Sequence, residues 1–143
     1  MFDQFTTDPY SFDEVTSSPI TPVTPSQDVL RLGRLLPRSV YLGCASWNFP
    51  GWKGIVWGET SGVEDLTKRG LTAYCKHPVL RAVGIDWSFF GTLNEMSYAA
   101  MANQVNEDFR FLIKAPQSVT DAVNRDPKGR FRSLNQDFLD LHA

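Results

Sequence analysis

Trp47, Asn48, Trp52 and Lys53 crowd into one short segment, Gly43-Cys44-Ala45-Ser46-Trp47-Asn48-Phe49-Pro50-Gly51-Trp52-Lys53-Gly54. Such residues are unusual in a mere connection, and loops carry function more often than the elements they join. Aromatic faces stack on sugars and bases, and the amide and ammonium supply hydrogen bonds. Pro50 and Gly51 shape the loop. Asp86, Trp87 and Ser88 follow a second apolar run, and Lys114 and Gln117 follow a third. A Lys beside a carboxylate stays charged and binds anions. Desolvated without a partner, it loses its proton more readily and serves as a base or Schiff-base nucleophile.

Several common mechanisms find no support in the residue pattern. His77 stands at the end of a helical stretch and His142 at the chain end, neither placed as a catalytic base. Cys44 lies in a strand-like run with no His in a suggestive position, so packing is the simpler role. Cys44 and Cys75 have neither metal-ligand spacing nor the numbers of a disulfide framework. There is no phosphate-binding Gly-x-x-x-x-Gly-Lys-Ser/Thr loop and no dinucleotide fingerprint. Asp86 is the only good metal-ligand candidate, so no metal site is assigned and the cofactor is left open.

Composition is uneven along the chain. Of 143 residues, 42% are apolar, as in an ordinary globular domain. From Met1 to Asp28 there are acids, no Lys or Arg, and a run of Ser, Thr and Pro. That stretch cannot bury enough apolar surface to offset its ordering entropy, so a disordered arm is expected. Ser18-Pro19, Thr21-Pro22 and Thr24-Pro25 have the form of phosphorylation sites, though a plain extended arm accounts for them. The whole chain carries a formal charge of −2, and without its acidic arm it becomes weakly basic, too weakly to argue for nucleic acid by itself. No basic stretch precedes an apolar core near the start, so a secretory leader is not expected; no apolar run reaches membrane length, and a reducing cytoplasm is the expected location.

The remaining elements alternate. Residues 29–36 form an apolar–basic lead-in stopped by Pro37, which places a disordered arm and lead-in at 1–36 and a domain at 37–143. Val40 to Ala45 reads as a strand, Asp65 to His77 as a helix, and Ala82 to Asp86 as a second strand. Asn94 can cap a helix whose Tyr98, Met101, Ala102 and Val105 share one face. Phe109 to Ala115 reads as a third strand closed by Pro116. Gln117 to Ser133 is a long loop carrying Arg125, Lys128, Arg130 and Arg132, either a phosphate contact or solvated charge on a mobile lid. Leu134, Phe138 and Leu141 begin another helical face. Alternating strands and helices imply a parallel α/β sheet, open and doubly wound or closed into a barrel. In the second strand, small Ala82 and Gly84 share a face with Asp86, opposite Val83 and Ile85. A bulky face against helices and a small face lining a crowded interior favour the barrel.

At these residues the chain resembles the YecE-like family, domain of unknown function 72. The family's Gly-Thr-Ser-Gly-Trp-Ser-Tyr-Pro-x-Trp-x-Gly motif is matched by Gly43 to Gly54. Its Val-Glu-Ile-Asn-Ser-Thr-Phe-Tyr is similar to Val83 to Phe90, and its Phe-Arg-Phe-x-x-Lys-Ala-Pro to Phe109 to Pro116. The resemblance covers roughly Val40 to Ala143. It implies the front half of a triosephosphate-isomerase-type (β/α) barrel, about three of eight strand–helix units. The family's Glu aligns with Gly84, its Asn with Asp86 and its final Tyr with Phe90. Any role attached to that Glu or Tyr therefore does not transfer.

Catalytic groups of such barrels lie at the carboxyl ends of the strands. The resemblance thus gathers Asp86 and Lys114 as candidate catalytic residues, and Trp47, Asn48, Trp52, Lys53, Trp87 and Ser88 as candidate ligand contacts. The Asp86–Lys114 pair can be a structural ion pair, a ligand site or a proton-transfer pair, and the tryptophans either a stacking surface or a plug over the barrel end. By fold analogy, the reaction expected is hydrolysis or isomerisation of a phosphorylated or sugar-like substrate. The alternatives are a non-enzymatic module holding nucleic acid or an anion, and an inactive gene fragment. Three strands cannot close a barrel, so the open edges would invite oligomerisation or aggregation.

Overall fold

The computed structural model describes residues 19–140. Of the disordered arm expected over residues 1–28, residues 1–18 lie outside the described part, whereas the stretch that follows is folded onto the domain. Ile20 is buried, and Thr21 to Val23 run as a strap along Val56 to Gly58. Val23 N–H donates to Val56 O at 2.9 Å, and Gly58 N–H donates to Thr21 O at 2.8 Å. The lead-in is a helix, α1 (Gln27–Leu35). Ser26 caps it by accepting the Val29 amide, with Asp28 in the first turn and Arg34 in the last, as the helix dipole favours. Gly33 lets α1 touch Pro78, because a Cβ there would sit 2.6 Å from the Pro78 carbonyl oxygen. Arg81 closes the other end, donating to Gly33 O at 2.8 Å and to Pro37 O at 3.0 Å. The boundary expected at residue 36 is therefore too late: the folded unit includes the strap and α1, held by residues distant in sequence.

The central layer is a parallel three-stranded sheet in the order β1 (Leu42–Cys44), β2 (Leu80–Ile85), β3 (Arg110–Ile113). β1 and β2 are joined through α2 (Val63–Arg69) and α3 (Leu71–Tyr74), and β2 and β3 through α4 (Glu95–Ala102). The single helix expected over residues 65–77 is broken at Gly70, the weakest helix former short of proline. Asn94 caps α4 as its position suggested, accepting the Ser97 amide at 2.8 Å.

Both crossovers cover the same face. Val83 and Ile85 of β2 share one core with Leu66, Leu71 and Tyr74 of the first crossover and Met101 of the second. Tyr98 and Val105 pack against it, whereas Ala102 faces outward. Right-handed crossovers that step always in one direction must lie on one side of a sheet. Among the described residues, no helix covers the other face. Tyr41, Gly43, Ala82, Gly84, Arg110 and Leu112 line a trough of about 530 Å³ there. Arg110 lies 5.2 Å over the Tyr41 ring, and Leu112 is 76% exposed.

The long loop after β3 has structure of its own. α5 (Gln117–Thr120) leads into an antiparallel hairpin of β4 (Val123–Arg125) and β5 (Phe131–Leu134). Asp126 accepts the Lys128 and Arg130 amides at 2.8 and 2.9 Å, and Gly129 takes the positive φ of 78° the turn requires. This turn chemistry outweighs the helical spacing read at its end. Leu134 belongs to β5, Phe138 lies beyond it in no helix, and Leu141 is outside the described residues.

Candidate site at the carboxyl ends of the strands

Asp86 leaves β2 and opens a 3₁₀ turn, Trp87–Phe89, its carbonyl accepting the Phe89 amide at 3.1 Å. Ser88 in that turn is 1% exposed. Its hydroxyl lies 2.8 Å from Ile85 O and 2.6 Å from Lys114 O, so one O–H ties the ends of β2 and β3 together. Lys114 N–H donates to Ile85 O at 3.2 Å. Gly84 pairs with Leu112 and Ile85 with Ile113, which carries Asp86 and Lys114 to neighbouring positions at one rim of the sheet. Both are exposed. No ion pair joins them among the described residues; the Lys114 ammonium instead lies 4.5 Å over the Phe89 ring. An exposed ammonium on an aromatic face keeps its hydration on the open side and offers a charge to an incoming anion.

The aromatic segment after β1 behaves differently. Trp47 is 1% exposed, and its indole N–H donates to Leu66 O at 3.0 Å and Thr67 O at 3.2 Å. Its ring is therefore part of the core, with no open stacking face. Asn48 donates to Thr67 Oγ1 at 2.8 Å, and Lys53 to Thr60 Oγ1 at 2.9 Å. Trp52 is half-buried against Phe49, Trp57 and Tyr74, with ring centroids 5.7, 6.2 and 6.1 Å away. Trp87 is half-buried against the same core. Of the two roles open to the tryptophans, packing accounts for Trp47 outright and for most of the surface of Trp52.

Sequence reasoning assigned no site role to Tyr74, Trp57 or the Phe89–Phe90 pair. Tyr74, fully buried, accepts the Cys44 amide at 3.0 Å and donates to Ala82 O at 3.1 Å, bridging β1 and β2 beside the register shift at Leu42 and Gly43. Burial pushes its hydroxyl well above the ordinary tyrosine range. Two adjacent phenylalanines after a strand were the visible sign of the other omission. Phe89 and Phe90 line a cleft of about 560 Å³ together with Gln117, Arg125 and Arg132. Arg125 reaches Asp121 at 3.5 Å.

At the opposite end of the sheet, Cys75 and His77 line a second cleft beside Arg38, Lys76 and Arg81. Burial pushes the Cys75 thiol up and the His77 imidazole down. His77 Nδ1 accepts the Val79 amide at 3.3 Å. These shifts favour the neutral forms of both side chains. Among the described residues, no three His, Cys, Asp or Glu side chains are grouped to hold a metal ion, and no helix is long and apolar enough to cross a membrane.

A parallel sheet with both crossovers on one face and a polar rim at its carboxyl ends defines a mixed α/β protein of the strand–helix-repeat class. A family model described as a protein of unknown function, DUF72, matches residues 41–142, and the chain belongs to that family. No curated protein and no solved structure matches the chain.

Proposed function

We propose that the sheet is three strand–helix units of a (β/α) barrel and that its carboxyl-end rim binds a small phosphorylated or sugar-like molecule for hydrolysis or isomerisation. One observation carries this reading: Asp86 and Lys114 occupy adjacent register positions at that rim, unpaired with each other and open to solvent. Lys114 supplies positive charge to an anionic group, and Asp86 supplies a carboxylate able to take a proton from a bound hydroxyl or water. The one-sided crossovers and the small Gly43, Ala82 and Gly84 on the uncovered face support the barrel, because a closed sheet needs helices outside and a narrow interior within.

The test is calorimetric titration of the full chain with ribose 5-phosphate, alongside product analysis. Lys114→Ala should weaken binding about tenfold, the effect of losing one charge-assisted contact. Asp86→Asn should spare binding and abolish turnover. Undiminished binding by Lys114→Ala overturns the reading. A binding module without chemistry is the second reading, favoured by the exposure of both groups, since proton transfer gains from excluding water. Tight binding with no turnover by the native chain would select it.

A further inference from the structure

Beside the rim, Phe89 and Phe90 share a cleft with Pro116, Gln117 and the β4–β5 hairpin. At about 560 Å³ it lies within the roughly 300–1,000 Å³ of small-molecule sites. Two chemistries line it. One is aromatic: Phe89 has the Lys114 ammonium on its face and Phe90 edge-on at 5.2 Å. Phe90 is 70% exposed, a large ring held in water with a surface to spare. The other is cationic. Arg125 is engaged by Asp121 and by Gly129 O, which also occupies the one carboxylate lining the cleft. The Arg132 guanidinium makes no ion pair or hydrogen bond among the described residues.

We infer that this cleft takes a nucleoside monophosphate, with the base on the Phe90 ring and the phosphate on Arg132. The inference deepens the proposed reading of the rim as a site for phosphorylated molecules, and it rests on that reading. A sugar phosphate would use the cation and leave Phe90 in water; a nucleoside would do the reverse. A molecule with a flat π face and one dianionic end satisfies both. A single unengaged guanidinium argues for one phosphate rather than a chain of them. The same count argues against a nucleic-acid strand. Of the two guanidiniums lining the cleft, Arg125 is held by Asp121, which leaves Arg132 rather than a track of free cations for a backbone.

The experiment is calorimetric titration of the full chain with adenosine monophosphate, adenosine, inorganic phosphate, ribose 5-phosphate and a single-stranded tetranucleotide. Adenosine monophosphate should bind at least about tenfold tighter than adenosine or inorganic phosphate. Arg132→Ala should weaken the monophosphate about fivefold or more and leave adenosine unchanged. Phe90→Ala should weaken both by a similar factor. Both side chains are exposed, and circular dichroism confirms that each variant remains folded before titration. Adenosine monophosphate no tighter than inorganic phosphate, or silence of both variants, overturns the inference. Tighter binding of the tetranucleotide overturns the assignment to a free ligand. If ribose 5-phosphate binds and adenosine monophosphate does not, the inference fails and the broader reading of the rim stands; if neither binds, both fail.

Discussion

Replacing Tyr74 by Phe removes one oxygen from the centre of the molecule and nothing else. That oxygen accepts the Cys44 amide at 3.0 Å and donates to the Ala82 carbonyl at 3.1 Å, in a side chain with 0% exposure. The ring, and its packing on Trp52 and Phe109 at centroid distances of 6.1 Å, survives the change. Each neutral hydrogen bond contributes a net of about 0.5–1.5 kcal/mol, so two give about 1–3 kcal/mol. Water cannot reach the abandoned backbone groups without opening the β1–β2 seam, which places the expected loss at about 2–3 kcal/mol. Against a total stability on the order of 5–15 kcal/mol, that is a large fraction. Urea denaturation followed by tryptophan fluorescence would read it as a lower midpoint with an unchanged slope. A second signature follows from the titration of the hydroxyl. Burial raises the folded pKa above the ordinary value of 10.0. The unfolded chain therefore loses this proton first, so the hydroxyl's stabilisation is complete below that value and drains away as pH rises above it. In Tyr74→Phe the alkaline loss should be correspondingly shallower. A stability change under about 0.5 kcal/mol would refute the claim that this hydroxyl joins the two strands.

Two further outcomes follow from the same geometry. A Cβ on Gly43 would meet the Ala82 carbonyl oxygen at 2.0 Å and its carbon at 2.4 Å, backbone atoms that cannot move without parting β1 from β2. Gly43→Ala should cost at least the upper end of about 1–3 kcal/mol in urea denaturation, whereas Gly91→Ala, with no described atom within 4 Å of the added Cβ, should change stability by under about 1 kcal/mol. In the hairpin turn, the Arg130 amide foremost, with the Arg130 side chain and the Lys128 amide, holds Asp126 below its ordinary 3.8. The turn's extra stability is present above that value and is lost as pH falls through the lower folded pKa. Exchange protection of the Arg130 amide should fall with acidification in the native chain and hold level in Asp126→Asn.

Much of the scaffold is local, and local features can be read along the chain. Asn94 announces α4, because a capping side chain acts on an amide three residues away. The alternation of Val83 and Ile85 with Ala82 and Gly84 announces which face of β2 meets helices, because strand side chains alternate whatever lies beyond. The same parity placed Asp86 on the face of the small residues, and the three strands in order placed Lys114 beside it. The hairpin of β4 and β5 escaped notice because its signal lies in the turn, Asp126 to Arg130, rather than in the flanking apolar spacing.

The sequence by itself determined the order of the three parallel strands, the crossover helices between them and the family. Each follows from periodicity, capping or motif spacing, forces acting over a few residues. Only the tertiary structure decided that Trp47 is core rather than a stacking face, that α1 belongs to the domain through Arg81 and Pro78, and that Tyr74 joins two strands. Nothing in an indole's neighbours along the chain says whether Leu66 and Thr67 will come to accept its N–H. Burial and long-range hydrogen bonding are properties of what the chain folds against, and that is settled only when all the elements compete for the same core.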